Sequence, residues 1–147
     1  MDLTKIIAIT GKPGLFELVS QTKGGFVVKD LVSLKKQSIN ASRQVSLLQN
    51  ISIFTHDTEV PLISVLKNIA KKHDYNTIEF AKNNSEQLRK MMEEVLPDYD
   101  QNRVYDSDLK KLFSWYNILV TIKIITEESI KKLEEEEAKA EQELAEK

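Results

Sequence analysis

A chain of 147 residues, with 41% hydrophobic and 30% charged residues, has the composition of a folded globular protein and the length of one ordinary domain or two small ones. It contains no cysteine, which excludes disulfides, thiolate nucleophiles and cysteine-ligated metal or iron–sulfur sites. No apolar run approaches the ~20 residues that span a bilayer, and the run over residues 6–9 is too short for a signal-peptide core. We therefore expect a soluble cytoplasmic protein.

The net charge of −2 is unevenly distributed along the chain. Residues 127–147 carry nine acidic and four basic side chains, whereas residues 1–60 carry five acidic and seven basic ones. The acidity therefore belongs to the C-terminal tail. A nearly neutral body gives no strong electrostatic argument for nucleic-acid binding, which usually relies on a basic face.

The first sixty residues have the pattern of short strands. A β-prone run over residues 5–10 ends at the turn-forming sequence of residues 11–14, which contains two glycines and a proline. Two further apolar runs, residues 15–20 and 26–31, flank Gly24-Gly25. This arrangement predicts a β-hairpin.

The rest of the β-rich segment predicts a second hairpin, from residues 32–34 to residues 38–41. Residues 45–55 close the module, because apolar and polar residues alternate at their end; residues 45–50 can instead form a single helical turn. About five short strands suit a small SH3-like β-barrel, which removes the exposed edges of an open sheet.

From Pro61 onward the apolar period changes from two towards 3.6 residues, which predicts helices. A first helix runs to about Lys72 and a second ends at Pro97, after three candidate N-caps (Asn83, Asn84 and Ser85). Asp106 or Ser107 begins a third helix, whose apolar residues cover well over half of its circumference. Such a helix is expected to be buried on more than one side.

These elements give an α+β fold class with three segments. Residues 1–58 form the small β-barrel module, residues 59–126 a helical domain of three to four helices, and residues 127–147 an acidic tail that is helix-prone or disordered. The boundary between the first two segments lies where the apolar period changes.

Three sets of residues together resemble an uncharacterised family of small proteins from Bacteroidota bacteria: residues 7–16, residues 51–55 with 59–62, and residues 103–111 with 114–117. The resemblance covers roughly residues 1–122 and leaves the tail outside. It implies a bacterial cytoplasmic setting and a two-part layout. The family is classed only as domains of unknown function, so no catalytic or binding residue is carried over.

The motifs that carry chemistry favour a protein without cofactor or catalysis. Residues 11–14 lack the spacing of a phosphate-binding loop and are better interpreted as a turn. His56 and His73 have no ligand spacing around them and are interpreted as loop residues. Four aspartates could suggest a calcium loop, but the EF-hand order fails and helix capping explains them better: Asp98, Asp100, Asp106 and Asp108.

Two surfaces are candidates for binding. The richest aromatic cluster gives a candidate protein interface of Trp115, Tyr116, Ile118 and Ile122, although both aromatics also continue helical core stripes, and core is the favoured interpretation. A candidate nucleic-acid patch combines basic loops with two aromatics, although solvated loops are favoured there: Lys12, Lys23, Lys35, Lys36, Arg43, Phe16 and Phe26.

The preferred hypothesis is a non-enzymatic binding or adaptor protein, whose β-rich and helical halves contact a protein partner or a second copy of the chain. The alternative is a factor associated with the ribosome or RNA polymerase that binds RNA or DNA through the basic loops. A hydrolase or metal enzyme, assembled from residues distant in sequence, is a weaker third possibility.

Overall fold

The structure is a computed structural model, and it describes residues 5–10, 12, 14–80 and 84–145. Seven short strands precede four helices, so the predicted α+β class is confirmed. The strands are β1 (Ile6–Ile9), β2 (Phe16–Thr22), β3 (Gly25–Asp30), β4 (Lys36–Asn40), β5 (Val45–Leu47), β6 (Ser52–Phe54) and β7 (Glu59–Pro61). The helices are α1 (Leu62–Lys72), α2 (Ser85–Val95), α3 (Asp106–Thr121) and α4 (Glu127–Ala145).

Five strands form one antiparallel sheet in the order β4-β3-β2-β1-β5. The predicted hairpin around Gly24 and Gly25 is confirmed, since β2 and β3 pair up to the partners Thr22 and Gly25. The outer strands β4 and β5 are not paired with each other among the described residues. The strand pairing alone therefore confirms a five-stranded sheet and not a closed barrel.

The predicted second hairpin is wrong in its first strand, because residues 32–34 form a turn. The Asp30 carboxylate accepts hydrogen bonds from the Val32 and Ser33 backbone N–H groups, at 2.8 and 3.1 Å. Leu34 then adopts a φ of 64°, which lies outside the strand region. Strand β4 begins only at Lys36, and it pairs with β3.

The segment predicted to close the β-rich module is divided between two sheets. Val45–Leu47 pairs with β1 as strand β5, and a 3₁₀ turn follows over Leu48–Asn50, as the alternative interpretation allowed. Strand β6 then leaves the main sheet and pairs with β7 in a separate two-stranded sheet. Periodicity could identify β6 as a strand, but not its partner, because β7 has only three residues.

The first three helices lie where they were predicted: α1 ends at Lys72, α2 ends at Val95, shortly before Pro97, and α3 begins at Asp106. Asn84 caps α2 by accepting a hydrogen bond from the Gln87 backbone N–H at 3.0 Å, and the other candidate cap, Asn83, lies outside the described residues. The turn predicted at residues 11–14 is described only at Lys12 and Gly14.

The acidic tail forms the helix α4, which lies against α1. Thr126 and Ser129 cap its start reciprocally, with N–H to hydroxyl distances of 2.9 and 3.1 Å. Ile130 is buried. Glu137 pairs with Lys67 on α1 at 3.2 Å, and Glu134 pairs with Lys71 one turn further along.

Two hydrophobic clusters share the strand β1. Ile7 and Ile9 belong to a cluster on one face of the sheet, to which β2, β3 and β4 contribute Phe16, Val28 and Ile39. Ile6 points to the other face and belongs to the larger cluster that is built mainly by the helices. Alternate side chains of a strand point to opposite faces, so β1 contributes to both clusters.

Gly25 allows β3 and β4 to approach closely. A Cβ at this position would lie 1.9 Å from the Ile39 carbonyl oxygen and 2.9 Å from the Ala41 backbone nitrogen, whereas at Gly24 it would meet nothing within 4 Å. We expect Gly25→Ala to lower the free energy of unfolding by about 3 kcal/mol. The matched control Gly24→Ala should change it by less than about 1 kcal/mol. Urea denaturation measures both, and equal effects would contradict the described β3–β4 register.

Candidate functional site

Helix α3 places the predicted interface residues in two different environments. Tyr116 is fully buried, so it belongs to the core and offers no surface to a partner. Trp115, Ile118 and Ile122 pack against the core from its margin and remain partly exposed. Three of the four predicted residues therefore lie on a partly open apolar strip.

The buried side of α3 holds the connection between α1 and α2. The Tyr116 hydroxyl donates a hydrogen bond to the Asn76 carbonyl oxygen at 2.7 Å. The Asn117 side chain accepts from the Ile78 backbone N–H at 2.7 Å and donates to the Ile78 carbonyl oxygen at 2.8 Å. These bonds satisfy the polar groups of Tyr116 and Asn117, and they fix how α3 is rotated about its axis.

With this rotation, Trp115 lies between two cavities that run along α3, and we call the pair the α3 cleft. The first cavity, about 260 Å³, lies between α3 and strand β6. Because β6 pairs with β7 in a hairpin, we call it the hairpin-side cavity. The sheet-side cavity, about 600 Å³, lies between α3 and strand β1. Both are lined by Ile51, Lys111 and Trp115, so the two cavities adjoin each other at these three residues.

The hairpin-side cavity has a wall held by Arg103. Its guanidinium carbon lies 4.6 Å from the Phe54 ring centroid, in cation–π geometry. The same guanidinium group donates to the Asp100 carboxylate at 2.7 Å and to the Thr55 carbonyl oxygen at 3.0 Å. The bond from Arg103, together with one from the Asn102 backbone N–H, holds the pKa of the Asp100 carboxyl below its usual value.

Three of the four aspartates that suggested a cation loop have structural partners. Asp100 binds Arg103, Asp106 pairs with Arg89 at 3.0 Å, and Asp108 accepts the Tyr105 backbone N–H at 3.0 Å. Across the described ranges, no group of three or more histidine or carboxylate side chains is placed to hold a metal ion. Asp108 thus caps α3, Asp100 fixes the loop before α3, and Asp106 joins α3 to Arg89 on α2.

The sheet-side cavity is basic. Three lysines line it, namely Lys12 after β1 and Lys110 and Lys111 on α3. Four hydroxyl side chains, Thr10, Ser46, Ser107 and Ser114, lie among them. Lys12 was predicted as part of a nucleic-acid patch and Trp115 as part of a protein interface, and the fold brings the two to the same cavity.

The remaining residues of the predicted nucleic-acid patch are dispersed. Lys23 and Arg43 lie in turns at one end of β4, where the Ala41 N–H bonds the Gly24 carbonyl oxygen at 2.9 Å, and Lys35 and Lys36 lie at the other end. Phe16 is buried and Phe26 packs against the cluster inside the sheet. Neither aromatic forms an exposed platform beside the basic residues.

Lys110, Lys111 and Ile51 also line the cleft, although they were not among the predicted site residues. Lys111 lies four residues before Trp115, a spacing that places both side chains on one helix face, so this pair could have been identified. Ile51 could not, because its position at the cleft depends on the 3₁₀ turn that carries it from β5 towards α3.

The chain is similar to two families of protein domains and to a protein of known structure. Residues 3–48 match the family described as Domain of unknown function (DUF5606), and residues 51–119 match Domain of unknown function (DUF6852). A Bacteroides vulgatus protein whose structure was determined by solution NMR is 38% identical, with a TM-score of 0.70 over 84% of this chain and 89% of that one. No curated protein matches the chain. The predicted resemblance is confirmed.

Within the described residues, no helix has the length and apolar character needed to cross a membrane. This includes α4, which is the longest helix described but is rich in glutamate.

Burial raises the pKa of Tyr116 to about 12, so one tyrosine of the native protein should ionise well above the ordinary value of about 10. The stabilisation provided by the neutral hydroxyl is fully present below pH ~10 and is lost as the pH rises towards 12. Tyr116→Phe should abolish this step in an ultraviolet absorbance titration and cost about 1 kcal/mol at neutral pH, through loss of the bond to Asn76. An unchanged high-pH step in the variant would contradict the assignment.

Proposed function

The chain belongs to the Bacteroidota family that joins these two domains of unknown function. We propose that it is a non-enzymatic adaptor, and that it binds a protein partner through the α3 cleft. The observation that carries the proposal is the position of Trp115. Its partly exposed indole lies between two cavities on a helix whose other face is fixed in the core. Tryptophan is enriched among the residues that dominate protein–protein binding energies.

The chemistry of the cleft supports binding more than catalysis. The described residues that line the two cavities include no histidine and a single carboxylate, Asp108, which caps the start of α3. A serine or threonine nucleophile needs an adjacent general base, and the described residues of the sheet-side cavity supply four hydroxyl side chains but no histidine or carboxylate beside them. A cleft with an apolar centre and polar margins is instead the usual form of a recognition surface.

Nucleic-acid binding through the basic loops is the weaker candidate. Lys23 and Arg43 lie at the opposite end of β4 from Lys35 and Lys36, so they do not form one compact patch. Phe16 is too deeply buried to stack on a base. Among the predicted basic residues, Lys12 is the one that lines the cleft.

We also propose that the five-stranded sheet is a small SH3-like barrel. What supports this is its inner cluster, to which all five strands contribute, with Val45 and Leu47 of β5 packed against it. A hydrogen bond of 2.7 Å from Lys12 Nζ to Gln37 Oε1 also links the residues after β1 to β4. Methyl nuclear Overhauser effects between Ile39 and the methyl groups of β1 and β5 are expected for a curled sheet. A flat sheet would give none, because β4 and β5 lie at its two edges.

A photo-crosslinking amino acid placed at Ser107 tests the adaptor proposal. Ser107 is exposed, lines the sheet-side cavity and lies in the first turn of α3. In cells that naturally produce the chain, we expect a discrete, nuclease-resistant protein adduct from this position. Ser85, exposed at the start of α2, is the matched control position and should give none.

The adduct should depend on the indole. Trp115→Ala should abolish it and Trp115→Phe should retain part of it, while thermal unfolding confirms that both variants fold. An adduct that forms equally at Ser85, that survives Trp115→Ala, or that nuclease removes would count against the proposal.

A further inference from the structure

The sheet-side cavity concentrates positive charge without neutralising it. Lys12, Lys110 and Lys111 line it, and no aspartate or glutamate is among the described residues that line it. Within the part of the chain that the structure describes, Lys110 and Lys111 form no ion pair. The Lys12 ammonium is held by a neutral acceptor, the Gln37 side-chain amide oxygen, at 2.7 Å.

The lysines of α1 provide the contrast. Lys67 pairs with Glu137 at 3.2 Å, Lys71 with Glu134, and Lys72 with Glu94 at 3.3 Å. The chain thus supplies a carboxylate to each of these three cations but to none of the three in the cavity. Unpaired like charges on one surface repel each other, and an anionic occupant would relieve that repulsion.

The other residues that line the sheet-side cavity indicate which kind of anionic ligand it fits. Ile9, Ile51 and Trp115 are apolar, while Ser46 and Ser114 are hydroxyl donors at the margins. A peptide can place carboxylates opposite lysines and an apolar side chain against the indole at the same time. A sugar–phosphate backbone supplies the charge but not the apolar group, and Trp115 is the only aromatic side chain that lines this cavity.

We infer that the sheet-side cavity binds an acidic peptide segment of the partner, with its carboxylates opposite Lys12, Lys110 and Lys111 and an apolar side chain against Trp115. This inference rests on the proposed adaptor function and specifies the chemistry of what the adaptor recognises. The attraction is exposed to solvent, so binding weakens as salt is raised.

The test is a titration of the ¹⁵N-labelled full chain with a blocked peptide of sequence Glu-Glu-Leu-Glu-Glu, followed by NMR. The amide signals of Ala8 and Ser114 and the indole N–H signal of Trp115 should shift. The isosteric peptide Gln-Gln-Leu-Gln-Gln should produce little change. The double variant Lys110→Gln/Lys111→Gln should weaken binding of the acidic peptide about tenfold.

Lys35→Gln/Lys36→Gln is the matched control, since it removes the same charge from adjacent exposed lysines at the start of β4; its affinity should equal that of the unchanged chain. The inference is overturned if the glutamine peptide binds equally well, or if both double variants weaken binding alike. It is also overturned if a short oligouridylate shifts the same signals at lower concentration, which would identify a nucleic acid as the occupant.

Two outcomes separate this inference from the function on which it rests. If the Ser107 adduct persists in Lys110→Gln/Lys111→Gln but disappears in Trp115→Ala, the adaptor function stands and the acidic ligand is wrong. If the chain forms dimers in ultracentrifugation that this double variant abolishes, the cavity binds a second copy of the chain, whose own C-terminal segment is acidic, and a separate partner is excluded.

Discussion

Burial of β1 on both faces is the constraint on which the rest of the structure depends. Ile7 and Ile9 belong to the hydrophobic cluster on one face of the sheet, and Ile6 belongs to the core made with the helices. A strand buried on both sides cannot shift by one residue without moving every side chain to the wrong core. The register of β1 therefore determines where the helices pack, and with them the α3 cleft that lies between β1 and α3.

Local patterns predicted the elements that depend on local chemistry. The hairpin at Gly24 and Gly25 and the helix α1 follow from turn residues and apolar periodicity, and both are confirmed. The Val32–Leu34 segment was predicted as the first strand of a second hairpin, yet Val32 and Leu34 are 68% and 62% exposed. There the Asp30 carboxylate competes for the backbone N–H groups and forms a turn.

The candidate site was predictable only in part, for a geometric reason. Trp115 and Tyr116 are neighbours in sequence and both continue apolar stripes of α3, so periodicity could not determine which one faces the core. The bonds from Tyr116 to Asn76 and from Asn117 to Ile78 settle this rotation, and their acceptor and donor groups lie about forty residues away. The lysines of the sheet-side cavity come from two elements, and no single stretch of sequence displays them together.

Helix α4 is attached to the rest of the molecule by few contacts. This helix is joined to the body by Ile130, by the partly buried Leu133 and by the two lysine–glutamate pairs to α1. The bond from Lys71 holds the pKa of Glu134 below its usual value, so that contribution is present at neutral pH and is lost as the pH falls through the lowered value. Because its main apolar anchors are Ile130 and Leu133, we expect α4 to separate from α1 at a lower free energy than global unfolding requires. Such a sub-global opening would expose Ile130, but it would remove none of the residues that line the α3 cleft.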